Sequence, residues 1–225
     1  MANEAAISVD VVSDVVCPWC FIGQKRLDKA LSTLPDVPVT VNWRPYQLDP
    51  AIPPEGSDRH AYMVAKFGSE ERLRVAHERV REAARDTDIS FAFEAIRVAP
   101  NTLDAHRVIR WAGGIDPDVQ GKAVRRLFRA FFEEARDIGR PEILAELAVE
   151  SGLDRTVVEA LLATDADKDE VSAEIDTARR MGITGVPCFL LEGRYAVMGA
   201  QDADTLADAI RRVSVAKANG ELEGA

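Results

Sequence analysis

The sequence predicts an α/β protein built as a βαβ unit and an αββα unit, with a large all-helical block inserted between them. Three observations predict it. Val-rich segments that alternate apolar and polar residues occur only near the two ends of the chain. Between about Ser57 and Arg180 the pattern is almost wholly of helical period. The two N-terminal strands are joined by one helix, a crossover that makes them parallel. The boundaries read as 1–56 for the N-terminal half of the α/β domain, 57–165 for the helical insertion and 166–225 for the C-terminal half.

Ile7–Asp14 alternates and forms the first strand. Cys17, Pro18, Trp19 and Cys20 follow and open a helix whose apolar positions are Ile22, Leu27, Ala30, Leu31 and Leu34; Pro35 and Pro38 end it. Val37–Trp43 is the second strand, and the proline-rich stretch Arg44–Pro54 leaves the sheet as a loop. Gly68–Ser69 and Asp86–Asp88 punctuate the first part of the helical block. Asn101 caps a helix closed by Gly113–Gly114. Val124, Leu127, Phe128, Phe131 and Phe132 then form an amphipathic stripe, the core of the block rather than a cofactor box. Pro141 opens the next helix and Asp154 caps the one after it. A helix over about Asp167–Met181 stops at Gly182. Pro187–Glu192 and Tyr195–Gly199 form a hairpin turning at Gly193–Arg194, a last helix covers Asp202–Val213, and the polar tail to Ala225 frays.

Composition bounds the function. The chain has 225 residues, 47% hydrophobic and 29% charged, enough to build a core. A net charge of −10 disfavours nucleic acid or an anionic membrane as the main partner. Three cysteines are too few for a disulfide-stapled secreted scaffold. The N-terminus carries Glu4 and no basic region, and no stretch approaches about 18 apolar residues. These features predict a soluble, cytoplasmic protein. GxGxxG, GxxxxGK[ST] and GxSxG are absent, so phosphate-cradling loops and serine elbows are not expected.

The chemistry lies at Cys17–Cys20. Pro18 suits the first helical position, where a missing N–H costs nothing, and this puts Cys17 at the cap. There its sulfur faces orphan N–H groups and the positive end of the helix dipole, a setting that lowers a cysteine pKa from about 8.5 to roughly 3.5–7.5. Cys20 lies three residues on, on the inner side of the first turn. The expectation is a redox dithiol in which Cys17 attacks and Cys20 resolves. Half a zinc site is the competing use of CxxC, but one further cysteine, three histidines and no second CxxC leave no ligand set, so no metal is expected. Pro187 sits where a strand begins, a tolerated position, and as an X–Pro bond would by frequency be trans.

CPWC after a first strand, Gly185–Val186–Pro187 before a hairpin, Trp43–Pro50, Pro100–Arg107 and Tyr195–Gln201, in this order, resemble the DsbA branch of the thioredoxin superfamily, and within it the FrnE-like oxidoreductases. The resemblance spans Ser8 to about Val213 and implies a thioredoxin fold carrying the helical insertion. It makes Cys17 the nucleophile, Cys20 the resolving thiol and Pro187 a cis-proline beside the sulfurs. The Val186 peptide group would bond an extended substrate segment, and Trp19 would tune the dithiol and touch substrate. It also implies that the helix after Asn101 borders a substrate groove with His106 one turn along, although both residues read first as structural. His60 and His77 read as solvated surface. Cys188 stands where an aromatic is usual and, by strand alternation, points away from the dithiol.

The implied activity is thiol–disulfide exchange on protein or small-thiol disulfides by a monomer or homodimer. No cofactor is needed beyond glutathione as a co-substrate. Two other readings stand beside it. One is a glutathione-dependent isomerase or transferase of the hydroxychromene-carboxylate isomerase and kappa type. The other is a non-enzymatic chaperone-like module using the groove around Trp19.

Overall fold

A four-stranded sheet forms the centre of the molecule in the computed structural model, which describes residues 6–222. Expectations for Glu4 and for the last residues before Ala225 lie outside the described residues. β1 (Ile7–Ser13) is a central strand. It pairs in parallel with β2 (Val39–Pro45), from Ile7 opposite Val39 to Ser13 opposite Pro45. The crossover between them is α1 (Pro18–Ser32). β2 starts two residues later than the sequence pattern suggests and runs on to Pro45, which an edge strand tolerates because its outer side needs no donor.

The insertion carries α2 (Arg59–Phe67), α3 (Glu70–Ala83), α4 (Leu103–Gly113), α5 (Pro117–Phe132), α6 (Pro141–Ser151) and α7 (Arg155–Leu162). It is not all-helical. β3 (Ser57–Asp58) pairs antiparallel with β4 (Val98–Ala99), and the chain from Thr87 to Thr102 is otherwise irregular. Two-residue strands have no periodicity to detect; pairing across about 40 positions creates them. The Asp154 cap forms as expected, its carboxylate accepting from Val157 N–H (3.0 Å), and the Gly68–Ser69 break supplies a further cap, the Ser69 hydroxyl accepting from Arg72 N–H (3.2 Å).

The return to the sheet is α8 (Lys168–Arg180), followed by β5 (Cys188–Leu191) and β6 (Tyr195–Met198). β5 lies antiparallel to β1, giving the order β2-β1-β5-β6. The hairpin turns one residue earlier than expected: Glu192 (φ 53°) and Gly193 (φ 64°) are its central pair, both in the left-handed region, as a type I′ turn requires. α9 (Ala203–Ala218) packs on α1 and continues past Val213.

One hydrophobic core runs through the sheet and the insertion. The α5 stripe does more than fill the helical block. Phe128 and Phe132 stack on Phe21 of α1, with ring centroids 5.2 and 5.9 Å away, and Phe91 meets Phe21 edge-on at 6.1 Å. Phe21 directly follows Cys20, so the insertion braces the helix that opens on the dithiol.

Candidate active site

Pro18 is the first residue of α1 and Cys17 its N-cap, with extended backbone (φ −90°, ψ 114°) and no side-chain cap bond. The Cys17 sulfur therefore meets the helix mouth unengaged by its own backbone, and lies 3.7 Å from the Val186 carbonyl oxygen. Cys17 N–H donates to Asp14 O (2.9 Å), which tightens the turn between β1 and the helix. Cys20 faces inward and is 1% exposed, against 4% for Cys17. Trp19, between them, is 38% exposed. The outer sulfur stands at the N-terminal end of α1, on the positive side of the helix dipole, while the inner one is sealed beneath it.

Burial pushes the Cys20 thiol well above the ordinary range, and the adjacent Cys17 sulfur pushes the same way. The folded reduced protein thus holds this proton more tightly than the unfolded chain. Its stability is full below the unfolded thiol pKa near 8.5 and declines as pH rises beyond it. Cys188, raised by burial too, adds a slope of the same sign in either redox form. Urea midpoints taken from neutral pH to about pH 10 should therefore diverge, the reduced protein weakening faster than the Cys17–Cys20 disulfide form. Parallel curves would contradict the buried-thiol assignment.

The Val186–Pro187 bond is cis, as the family resemblance implies and against the general preference of X–Pro bonds. Pro187 is buried against α1 at a glycine. A Cβ on Gly23 would lie 2.9 Å from Pro187 Cγ and 3.2 Å from Phe189 Cζ, both ring atoms with no freedom to swing aside. The sequence reading passed over Gly23, although a glycine inside a helix is itself a signal of close approach. Gly23→Ala gains up to about 1 kcal/mol of helix propensity but incurs about 1–3 kcal/mol of overpacking. A net destabilisation of about 1 kcal/mol is expected in urea unfolding, with the Pro187 loop displaced from the sulfurs.

A cavity of about 710 Å³ opens over Cys17, Pro18 and Trp19. Gly185 and Val186 form one side, Leu48, Asp49 and Ile52 another, and α2 and α3 the far wall. Asn101 and His106 are not in its lining. The backbone cap of α4 is Thr102, but the Asn101 side chain accepts from Leu103 N–H (3.0 Å) and from Gln47 Nε2 (3.0 Å), and donates to Ile52 O (2.6 Å). His106 is buried; its Nε2 donates to Tyr46 O (2.9 Å) and lies 3.5 Å from Asp14 Oδ1. Asp14 Oδ2 accepts from Leu48 N–H (2.8 Å). Both residues thus hold the 46–52 loop that supplies one wall of the dithiol cavity and do not line that cavity themselves; His106 borders a separate cavity beside Trp43 and Arg110.

His77 overturns its surface reading. It is half-buried, stacks on Phe93 at 4.2 Å and lines the cavity, because the irregular 88–99 segment folds back over α3. His60 is exposed as expected and pairs with Glu70. Cys188 points away from the dithiol, into a cluster with Val12, Tyr46, Ala178 and Ile183, while its neighbour Phe189 faces α1. Among the described residues, no three His, Cys, Asp or Glu side chains are grouped to hold a metal, and no helix is long and apolar enough to cross a membrane.

Residues 8–211 match the DSBA-like thioredoxin domain family. The crystal structure of the probable DsbA oxidoreductase SCO1869 from Streptomyces coelicolor is 31% identical, with a TM-score of 0.81, over 92% of this chain and 89% of that one. The uncharacterized protein YwbO of Bacillus subtilis (strain 168) is 26% identical over 205 residues, 91% of this chain and 96% of its own length. A 2-hydroxychromene-2-carboxylate isomerase shares the fold at 17% identity and a TM-score of 0.70, over 94% of this chain and 98% of the isomerase.

Proposed function

This chain belongs to the DSBA-like thioredoxin domain family of oxidoreductases, and on that footing we propose that it is a thiol–disulfide oxidoreductase working through Cys17 and Cys20. The observation that carries the reading is the unequal placement of the two sulfurs, one capping a helix at the floor of a cavity and the other buried beneath it.

The chemistry follows from that inequality. The Cys17 thiolate attacks one sulfur of a substrate disulfide, whose S–S bond breaks and expels a thiolate. Cys20 then gives up its proton and attacks the Cys17 sulfur, closing the Cys17–Cys20 disulfide and releasing the second thiolate. Substrate gains two electrons and the dithiol loses two. The reverse sequence oxidises a dithiol substrate, and the direction follows from the reduction potential, which spans about −120 to −270 mV among such dithiols. Glutathione suits the closing of the cycle as a co-substrate. Protein or small-thiol disulfides are the substrates, and the Val186 peptide group, in the cavity lining, would bond an extended substrate segment. The small number of cysteines supports a cytoplasmic setting.

The test is equilibration in glutathione redox buffers followed by peptide mass spectrometry. A Cys17–Cys20 disulfide is the expected product, with Cys188 free throughout. Cys17 remaining unpaired in oxidising buffer, or pairing with Cys188, would falsify the assignment.

A further inference from the structure

Arg59, on the far wall of the dithiol cavity, is 8% exposed. Its main chain is held by the backbone N–H, which donates to Arg97 O (2.9 Å) where the β3–β4 ladder ends. Yet no carboxylate among the described residues answers its charge. Its guanidinium carbon lies 5.4 Å from the centre of the Phe131 ring, and an aromatic face offsets only part of the cost of desolvating a cation. Burial pushes the Arg59 pKa down to about 10. His77 lies close enough to feel that charge, with a buried Nε2 that has no partner. Burial, together with Arg59 and Arg81, lowers the His77 pKa against the opposing pull of Glu94. A buried cation and an imidazole, neither hydrogen-bonded by the protein, thus stand together in a cavity whose exposed surface is mostly apolar and whose other charged lining residues are Asp14, Asp49, Lys66, Glu71, Arg72 and Arg79.

Buried polar groups in folded proteins are paired, and a group that is unpaired only until a ligand arrives is how pockets fix orientation. The chain's net charge of −10 repels anions over most of its surface, so an unanswered arginine inside this cavity runs against the general field. The volume of about 710 Å³ suits a small molecule. We infer that the cavity selects small thiols or disulfides that carry a carboxylate on an apolar body, with Arg59 binding the carboxylate while the sulfur lies at Cys17. The inference rests on the dithiol reading above and adds its substrate class.

Two aromatic disulfides of similar size separate the ideas. Dithionitrobenzoate carries a carboxylate on each ring; dithiodipyridine carries none. With either, Cys17 displaces one aromatic thiolate and Cys20 the second, so the reagent gains the two electrons the dithiol loses, and each step is read as absorbance. In the reduced protein the ratio of the dithionitrobenzoate to the dithiodipyridine rate constant should fall about tenfold on Arg59→Gln, the loss expected for a hydrogen bond to a charged group, and recover most of its value in Arg59→Lys. Free benzoate should slow the first reagent more than the second. A ratio unchanged in Arg59→Gln would overturn the inference. Failure of dithiodipyridine to react at Cys17 in the unsubstituted protein would instead sink the dithiol reading itself.

Discussion

Insulin reduction in the presence of a small thiol is expected to fall to the uncatalysed rate in Cys17→Ser, a loss of about 10³-fold or more. A serine hydroxyl at the mouth of α1 cannot supply the sulfur nucleophile, and no other thiol is placed to replace it. Cys20 is sealed under the first turn and holds its proton, and Cys188 lies across the sheet among Val12, Tyr46 and Ile183. Cys20→Ser has a different signature. Cys17 still attacks, but nothing displaces the substrate from it, so a mixed disulfide accumulates and is visible by mass spectrometry in non-reducing conditions. The pair of variants also discriminates the neighbouring chemistries. Glutathione-dependent turnover that survived Cys20→Ser would fit the isomerase reading, and client binding indifferent to both substitutions would fit a chaperone-like module.

The second large effect is on stability. Arg107→Met is expected to cost about 3–5 kcal/mol, lowering the melting temperature on the order of 10 °C in a circular dichroism melt. Arg107 is fully buried in α4. Its guanidinium donates to the carbonyl oxygens of Leu161 (2.7 Å), Thr164 (2.8 Å) and Ala166 (2.6 Å), pairs with Asp104 (2.8 Å), and lies over the Trp111 ring at 4.9 Å. These carbonyls end α7 and lead the chain back toward α8 and the sheet. Methionine fills the space but leaves the Thr164 and Ala166 carbonyls without donors, while Leu161 O keeps the Thr164 N–H (3.1 Å) and hydroxyl (2.9 Å). Arg107→Lys should recover only part of the loss, because one ammonium cannot reproduce a planar fork aimed at three carbonyls. A melting temperature unchanged in Arg107→Met would show that the carbonyls find other partners.

What the sequence made legible was what local chemistry decides. β1, the Pro18 start of α1, the break at Gly68–Ser69 and the cap at Asp154 depend on residues a few positions apart, and each forms where the pattern puts it. Cys17 and Cys20 were visible for the same reason: a helix start and a spacing define both. The start of β2 was not, because Val37, Val39 and Val41 all fit one alternation and only the pairing of Ile7 with Val39 selects the register. His77 sits in a run of charged residues, and its burial comes from Phe93, on a segment whose path has no period. Arg59 carries no local signal; its isolation follows from the β3–β4 pairing and from the Phe131 ring. Asn101 and His106 belonged to the right neighbourhood, but hydrogen bonds to Ile52 and Tyr46 commit them to shaping a wall.

The stacking of Phe21 on Phe128 and Phe132 has an architectural consequence. The reactive turn rests on an abutment more than a hundred positions downstream, so the sheet with its flanking helices is not a self-sufficient reactor to which helices were later attached. A minimal version trimmed of the insertion would keep all four letters of the motif while unroofing the inner sulfur. Grafting the motif onto a bare scaffold would transplant the words without the grammar that gives two chemically identical thiols separate jobs.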